Sequence, residues 1–216
     1  VTFVADFFVV DAFQIASAQW KHFASQLERS DVDAATVTRQ FTQELLRDAF
    51  GYVSLAPANA IHVGDRHYPV SLIAGSIPVF VAPHTLCLDD PDPCFAIAGS
   101  GSRKKSAFQL AQELLNASPD HLWALVTNGR QLRLLRDAAT LTRPSFLEID
   151  LQDILAGARY AEFANTWRLL HASRGGIAPA DTQTNNTASC IWEAWRETGQ
   201  QEGTRVRDGL RQGVTE

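Results

Sequence analysis

Two apolar runs around an Asn-Gly pair constrain this chain more than any other feature: LWALVT at 122–127 and RQLRLL at 130–135 flank Asn128-Gly129. That pair tolerates the positive φ values of a type I′ turn, so the spacing predicts a β-hairpin. Upstream, Phe13, Trp20, Phe23 and Leu27 recur at helical spacing between Asp11 and Glu28. Val37, Phe41, Leu45 and Ala49 repeat in the same way after the capping candidates Ser30, Asp31 and Asp33, and Gly51 stops the run. YVSLA (52–56), YPVSLIA (68–74) and IPVFVA (77–82) read as strands bounded by Pro, Gly and Asn. A Pro-, Asp- and Gly-rich loop from His84 to Ser102 then leads into a helix marked by Phe108, Ala111, Leu114 and Leu115. After the hairpin, SFLEI is a strand, Asp150 a helix cap, and Phe163, Trp167 and Leu170 a helical face reaching His171.

The fold class expected from this order is α/β, a mixed sheet with flanking helices over residues 1–172. A polar linker follows at 173–189, then a C-terminal connector helix at 190–216. The connector carries Trp192 and Trp195, interface candidates whose apolar surface needs something to pack against. No Met occurs anywhere, even at position 1, and the last helical pattern runs to Glu216. The expectation is a piece of a larger protein, with the remainder as partner.

A 45% hydrophobic content over 216 residues can supply a core. No apolar run approaches the roughly 18 residues of a membrane span, and the opening VTFVADFFVVDAF lacks the basic region and cleavage site of a signal peptide. Membrane contact is therefore not expected. Three cysteines, Cys87, Cys94 and Cys190, are too few for a disulfide framework and point to a reducing cytoplasm. Net charge is −5, so any nucleic-acid contact must be local.

The order helix, three strands, helix, two strands is similar to the core of the PD-(D/E)xK nucleases. Metal-assisted phosphodiester cleavage there needs an acid on one strand and a Glu-x-Lys pair on the next, to hold Mg²⁺ beside the scissile phosphate. YPVSLIA and IPVFVA contain no Asp, Glu or Lys, so the resemblance implies a degenerate, non-cleaving core with no metal ligands and no catalytic residues. Glu44 and Gln109 read as solvated helix residues. The stretch from Gly99 to Ser106 fails as a phosphate loop, because no Gly directly precedes a Lys-Ser/Thr pair and Lys104 stands where a dinucleotide fingerprint needs its third Gly. His84, Cys87 and Cys94 are poorly spaced for zinc, and neither an HExxH nor a Gly-x-Ser-x-Gly elbow occurs. Arg130, Arg133 and Arg136, with Arg103, Lys104 and Lys105, are the candidates for contact with nucleic-acid phosphates. An edge charged to deter strand pairing explains the hairpin arginines equally well.

Three segments carry a more particular resemblance: LAQELLNASPDHLWALVTNGRQLRLLRDAATLTRPSFLEIDLQDILAG, YAEFANTWRLLHASR and CIWEAWRETGQQEGTRVRDGLRQGVTE. Together, from Gln109 to Glu216, they resemble the N-terminal region of large single-chain adenine-N6 DNA methyltransferases of phage defence, the type IIG-like class of DISARM and BREX systems. The hairpin VTNGRQLRLLRD and the closing EGTRVRDGLRQGV are the most specific parts; the first hundred residues match more loosely. In that family a nuclease-like region passes through a helical connection into the methyltransferase core. The resemblance implies that S-adenosylmethionine is a cofactor of the parent and not of this chain, with DNA and other defence-system proteins as the parent's partners. Asp92-Pro93-Cys94 and Gly99-Ser100-Gly101 are four residues too far apart for that family's cofactor loop, and Asn-Pro-Pro-Tyr is absent. The leading expectation is a non-catalytic domain that supports such a methyltransferase; the alternatives are a stand-alone interaction module of a defence complex and an active Mg²⁺ nuclease.

Overall fold

A computed structural model describes residues 2–99, 104–136, 146–176 and 190–214. Helix α1 runs over Thr2–Ala24, nine residues earlier than the periodicity from Asp11 predicts, because the opening apolar segment continues the same helix. Helix α2 (Ala34–Glu44) takes Asp33 of the three cap candidates, its carboxylate accepting from the Thr36 N–H, and passes into a π-helical turn at Leu45–Ala49. Phe23 of α1 stacks on Phe41 of α2 with centroids 4.3 Å apart, and Trp20 packs edge-on to both rings.

Eight strands follow: β1 (Ala56–Pro57), β2 (Ala60–Val63), β3 (Arg66–Pro69), β4 (Leu72–Ala74), β5 (Ile77–Val81), β6 (Trp123–Thr127), β7 (Gln131–Arg136) and β8 (Phe146–Asp150). Two of the strand expectations need correction. YVSLA is mostly turn, and only Ala56 joins a strand; YPVSLIA divides between β3 and β4, breaking after Pro69, whose ring offers no N–H to continue a ladder. The pair β2–β3 forms its own two-stranded sheet, and β2 was not anticipated. The main sheet is mixed, in the order β1-β4-β5-β6-β7-β8. Its neighbours are antiparallel except β5 and β6, which run parallel with Val81 opposite Thr127. That parallel pair requires a crossover, supplied by helix α3 (Ala107–Ala117), which starts on a Ser106–Gln109 capping box.

Alternation along the strands divides the core in two. Ile77, Val79 and Val81 face α1, α2 and the helices α4 (Leu151–Ala156) and α5 (Tyr160–Leu170), whereas Phe80 faces α3 with Ala124, Val126 and Leu135. Asp150 caps α4 as expected, accepting from the Asp153 N–H. The last helix, α6 (Ile191–Val214), begins where predicted; the expected linker lies outside the described residues from 177 to 189. No helix among the described residues is long and apolar enough to cross a membrane.

Tyr52, fully buried after the π-helical turn, donates its hydroxyl to the Leu170 carbonyl at 2.8 Å and so ties the start of the sheet region to the end of α5. Burial pushes its pKa far above the ordinary tyrosine value, with a smaller contribution from Cys190. The unfolded chain releases this proton near pH 10, while the folded one holds it to higher pH. Stability present at neutral pH is therefore lost as pH rises past about 10. Tyr52→Phe is expected to lose about 1 kcal/mol at pH 7 and to show a shallower alkaline decline, as read by urea unfolding at both pH values.

Candidate functional site

The six candidate cations do not form one surface of free charge. Arg133 lies inside the hairpin with only 8% of its side chain exposed. Its guanidinium donates two 2.7 Å bonds to Asp89 and one of 2.6 Å to Glu148, and it sits 4.4 Å over the Phe146 ring. Arg136 makes a two-bond fork to Glu193 of α6. Lys105 bonds Glu113 at 2.5 Å, and Arg66 shares the same carboxylate group at 3.2 Å. Arg103 lies outside the described residues. Of the six, Lys104 and Arg130 stand without an ion-pair partner among the described residues. The alternative of a charged sheet edge is also corrected: β7 is paired on both sides, and β8 is the edge.

These pairings shift the acids as expected for carboxylates gripped by arginine. A hydrogen bond from Arg133 holds Asp89 below the usual carboxylate range, and Arg136, then Arg196 and the Trp123 indole, do the same for Glu193. Glu193 thus receives an indole N–H at 2.7 Å and two guanidinium groups, joining the hairpin to the first turn of α6. Trp192 is buried in that turn. Its indole N–H donates to the Leu169 carbonyl at 2.8 Å, and its ring meets Trp123 at 5.2 Å. Trp195, one turn on, is 48% exposed. The two interface candidates are therefore separated: Trp192 is used within this chain, and Trp195 is open.

The strands that would carry nuclease ligands, β4 and β5, present none, since neither contains Asp, Glu or Lys. Glu44 accepts from Gln40, and Gln109 serves the capping box. Among the described residues no three of His, Cys, Asp and Glu converge as a metal-holding group. Burial, then Asp92, pushes the Cys94 thiol up to about 12, and a hydrogen bond with Asp90 raises that of Cys87, so neither is a thiolate nucleophile at neutral pH. The Asp92 carboxylate is spent locally, accepting from the Cys94 N–H at 2.9 Å, and Gly99 packs against the Asp65 carbonyl.

Unpartnered nitrogen atoms occur elsewhere, at the C-terminal ends of β5 and β6. The Ala82 N–H donates to the Thr127 carbonyl at 2.8 Å, aligning the segments that leave the two strands. His84 follows one strand and Arg130 the other. The His84 backbone N–H donates to Thr38 Oγ1 at 3.0 Å, and its ring stands edge-on to Phe23, 6.0 Å away. The turn is not the predicted type I′. Asn128 keeps a negative φ, Gly129 has φ +80°, and Asn128 Oδ1 accepts from the N–H groups of Arg130 and Gln131 at 3.1 and 2.8 Å. His84 Nδ1 and Arg130 Nε are both buried without a hydrogen-bond partner. Burial lowers the His84 pKa, and the Arg130 charge lowers it further. Sequence reading considered His84 only as a zinc ligand and missed this juxtaposition; a parallel pair joined by α3, had it been recognised, would have pointed to the carboxyl ends of its strands.

No protein-family model, curated protein or solved structure matches the chain.

Proposed function

We propose that this chain is the non-catalytic N-terminal part of a S-adenosylmethionine-dependent adenine-N6 DNA methyltransferase of a phage-defence system, scaffolding the methyltransferase core and contacting DNA through Lys104 and Arg130. The observation that carries the reading is the mounting of α6. Its first turn is locked to the α/β body by Trp192 and Glu193, while Trp195 and, farther along, Val206 at 61% exposure offer apolar surface to a partner. A helix held firmly at one end and largely exposed from Trp195 to Arg207 can transmit the position of one folded body to another. The resemblance of residues 109–216 to the helical connection of such enzymes supplies the identity of that second body. The degenerate PD-(D/E)xK-like core belongs to the same proposal, supported by the mixed sheet with flanking helices and by strands without ligand side chains. In that class the cofactor supplies the methyl group, and no residue here is assigned to it.

The test is made on the gene product that contains this sequence. Its reading frame is expected to continue into a cofactor loop and Asn-Pro-Pro-Tyr, and the product to methylate adenine in duplex DNA. Trp195→Ala in that product is expected to reduce methyl transfer several-fold while the melting temperature of the present chain alone is unchanged. A stop codon close after Glu216, or persistent DNA cleavage with Mg²⁺ or Mn²⁺, would overturn the assignment.

A further inference from the structure

Two nitrogen atoms at the carboxyl ends of the parallel strands are buried with nothing to bond: Nδ1 of His84, a residue only 6% exposed, and Nε of Arg130. Buried polar nitrogens in folded proteins nearly always find a partner, so two without one at the same strand ends call for a partner from outside the chain. Both belong to one neighbourhood. Phe23 lies against the His84 ring and also against Gly129, where an added Cβ would come within 2.7 Å of it. Thr38 likewise accepts from the His84 backbone through its hydroxyl and sits under Gly129 through its methyl group.

We infer that the carboxyl ends of β5 and β6 form a binding site for a tetrahedral oxyanion of the phosphate class, held by the His84 ring N–H and the Arg130 guanidinium. The charge balance selects an anion. Arginine offers five N–H donors and no acceptor, and the Arg130 guanidinium has no carboxylate at ion-pair distance among the described residues. By contrast Arg133, three residues on and buried, is neutralised within the chain by Asp89 and Glu148. His84, its basicity depressed by burial and by Arg130, stays neutral and contributes a directed hydrogen bond in place of a second charge. The site is also preorganised. Asn128 fixes the backbone of Arg130, and Thr38 fixes that of His84, so ligand binding orders little. This assignment does not depend on the methyltransferase reading.

The oxyanion could be a free phosphate or a phosphodiester of DNA, and two probes separate them. Inorganic phosphate and a short duplex DNA are titrated separately into the ¹⁵N-histidine-labelled chain, following the His84 nitrogen resonances at fixed pH, with calorimetry for affinity. Saturable movement of the His84 signals by phosphate alone identifies a small-anion site; movement by duplex identifies a phosphodiester site. Arg130→Gln is expected to weaken whichever binding is seen at least about tenfold without lowering the melting temperature of the free chain. His84→Phe, which keeps the ring packing on Phe23, is expected to weaken it as well. If neither probe moves His84, the acceptor is bound water and the proposal fails. It fails equally if Arg130→Gln binds phosphate and duplex as tightly as the parent chain.

Discussion

Gly129→Val is expected to destabilise the protein by about 2–5 kcal/mol, from strain at a positive φ and overpacking. The backbone there has φ +80°, which β-branched residues rarely adopt, and a Cβ would lie 2.7 Å from Phe23 Cζ and 3.2 Å from Thr38 Cγ2. Phe23 cannot retreat, because it is stacked on Phe41 and flanked by Trp20. Gly64→Ala is the control. Its φ is also positive, at +57°, but nothing lies within 4 Å of the added carbon, so strain alone applies, about 1–2 kcal/mol. Urea midpoints of the two variants give the comparison, and equal losses would show that the turn does not rest against α1.

The second large effect is expected at Trp192. Trp192→Ala removes a side chain buried against Trp123 and Gly175 and leaves the Leu169 carbonyl without its indole donor, for a loss of about 3–5 kcal/mol. If α6 were merely laid on the surface, the loss would be under about 1 kcal/mol. A sharper readout is the order of events. In the variant, α6 should lose its backbone amide protection well before the sheet does, whereas in the parent protein the first turn of α6 exchanges with the body. Simultaneous exchange in both proteins would contradict the anchoring role.

Much of the architecture was legible because local chemistry and burial agree over long stretches. Helix α2 announces itself through its cap and i+4 repeat, α3 and α5 through apolar residues at helical spacing, and Asp150 caps α4 as its sequence position suggests. Misreadings fall where a short apolar segment has two possible uses. The opening residues are apolar apart from Thr2 and Asp6 and so showed no clear helical face, yet they extend α1; YPVSLIA has strand composition, but its Pro69 divides it between two sheets. The candidate cations show the other limit. Charge pattern locates basic residues but not their partners, and Asp89, Glu113 and Glu193 come from 44, 8 and 57 residues away in sequence. The His84–Arg130 pairing was equally hidden, since only the parallel alignment of β5 and β6 brings the two together.

The two borders of the main sheet are unlike. At one, β1 is two residues long and one of them is Pro57, which has no amide hydrogen to offer an incoming strand. At the other, β8 has five residues, with Phe146 and Leu147 each 43% exposed and no outer neighbour among the described residues. Lateral growth of this sheet, whether by a visiting peptide or by self-association during refolding, is thereby directed to a single side. Glu148 is the gatekeeper there, and its tether to Arg133 determines how well its charge can repel an approaching chain.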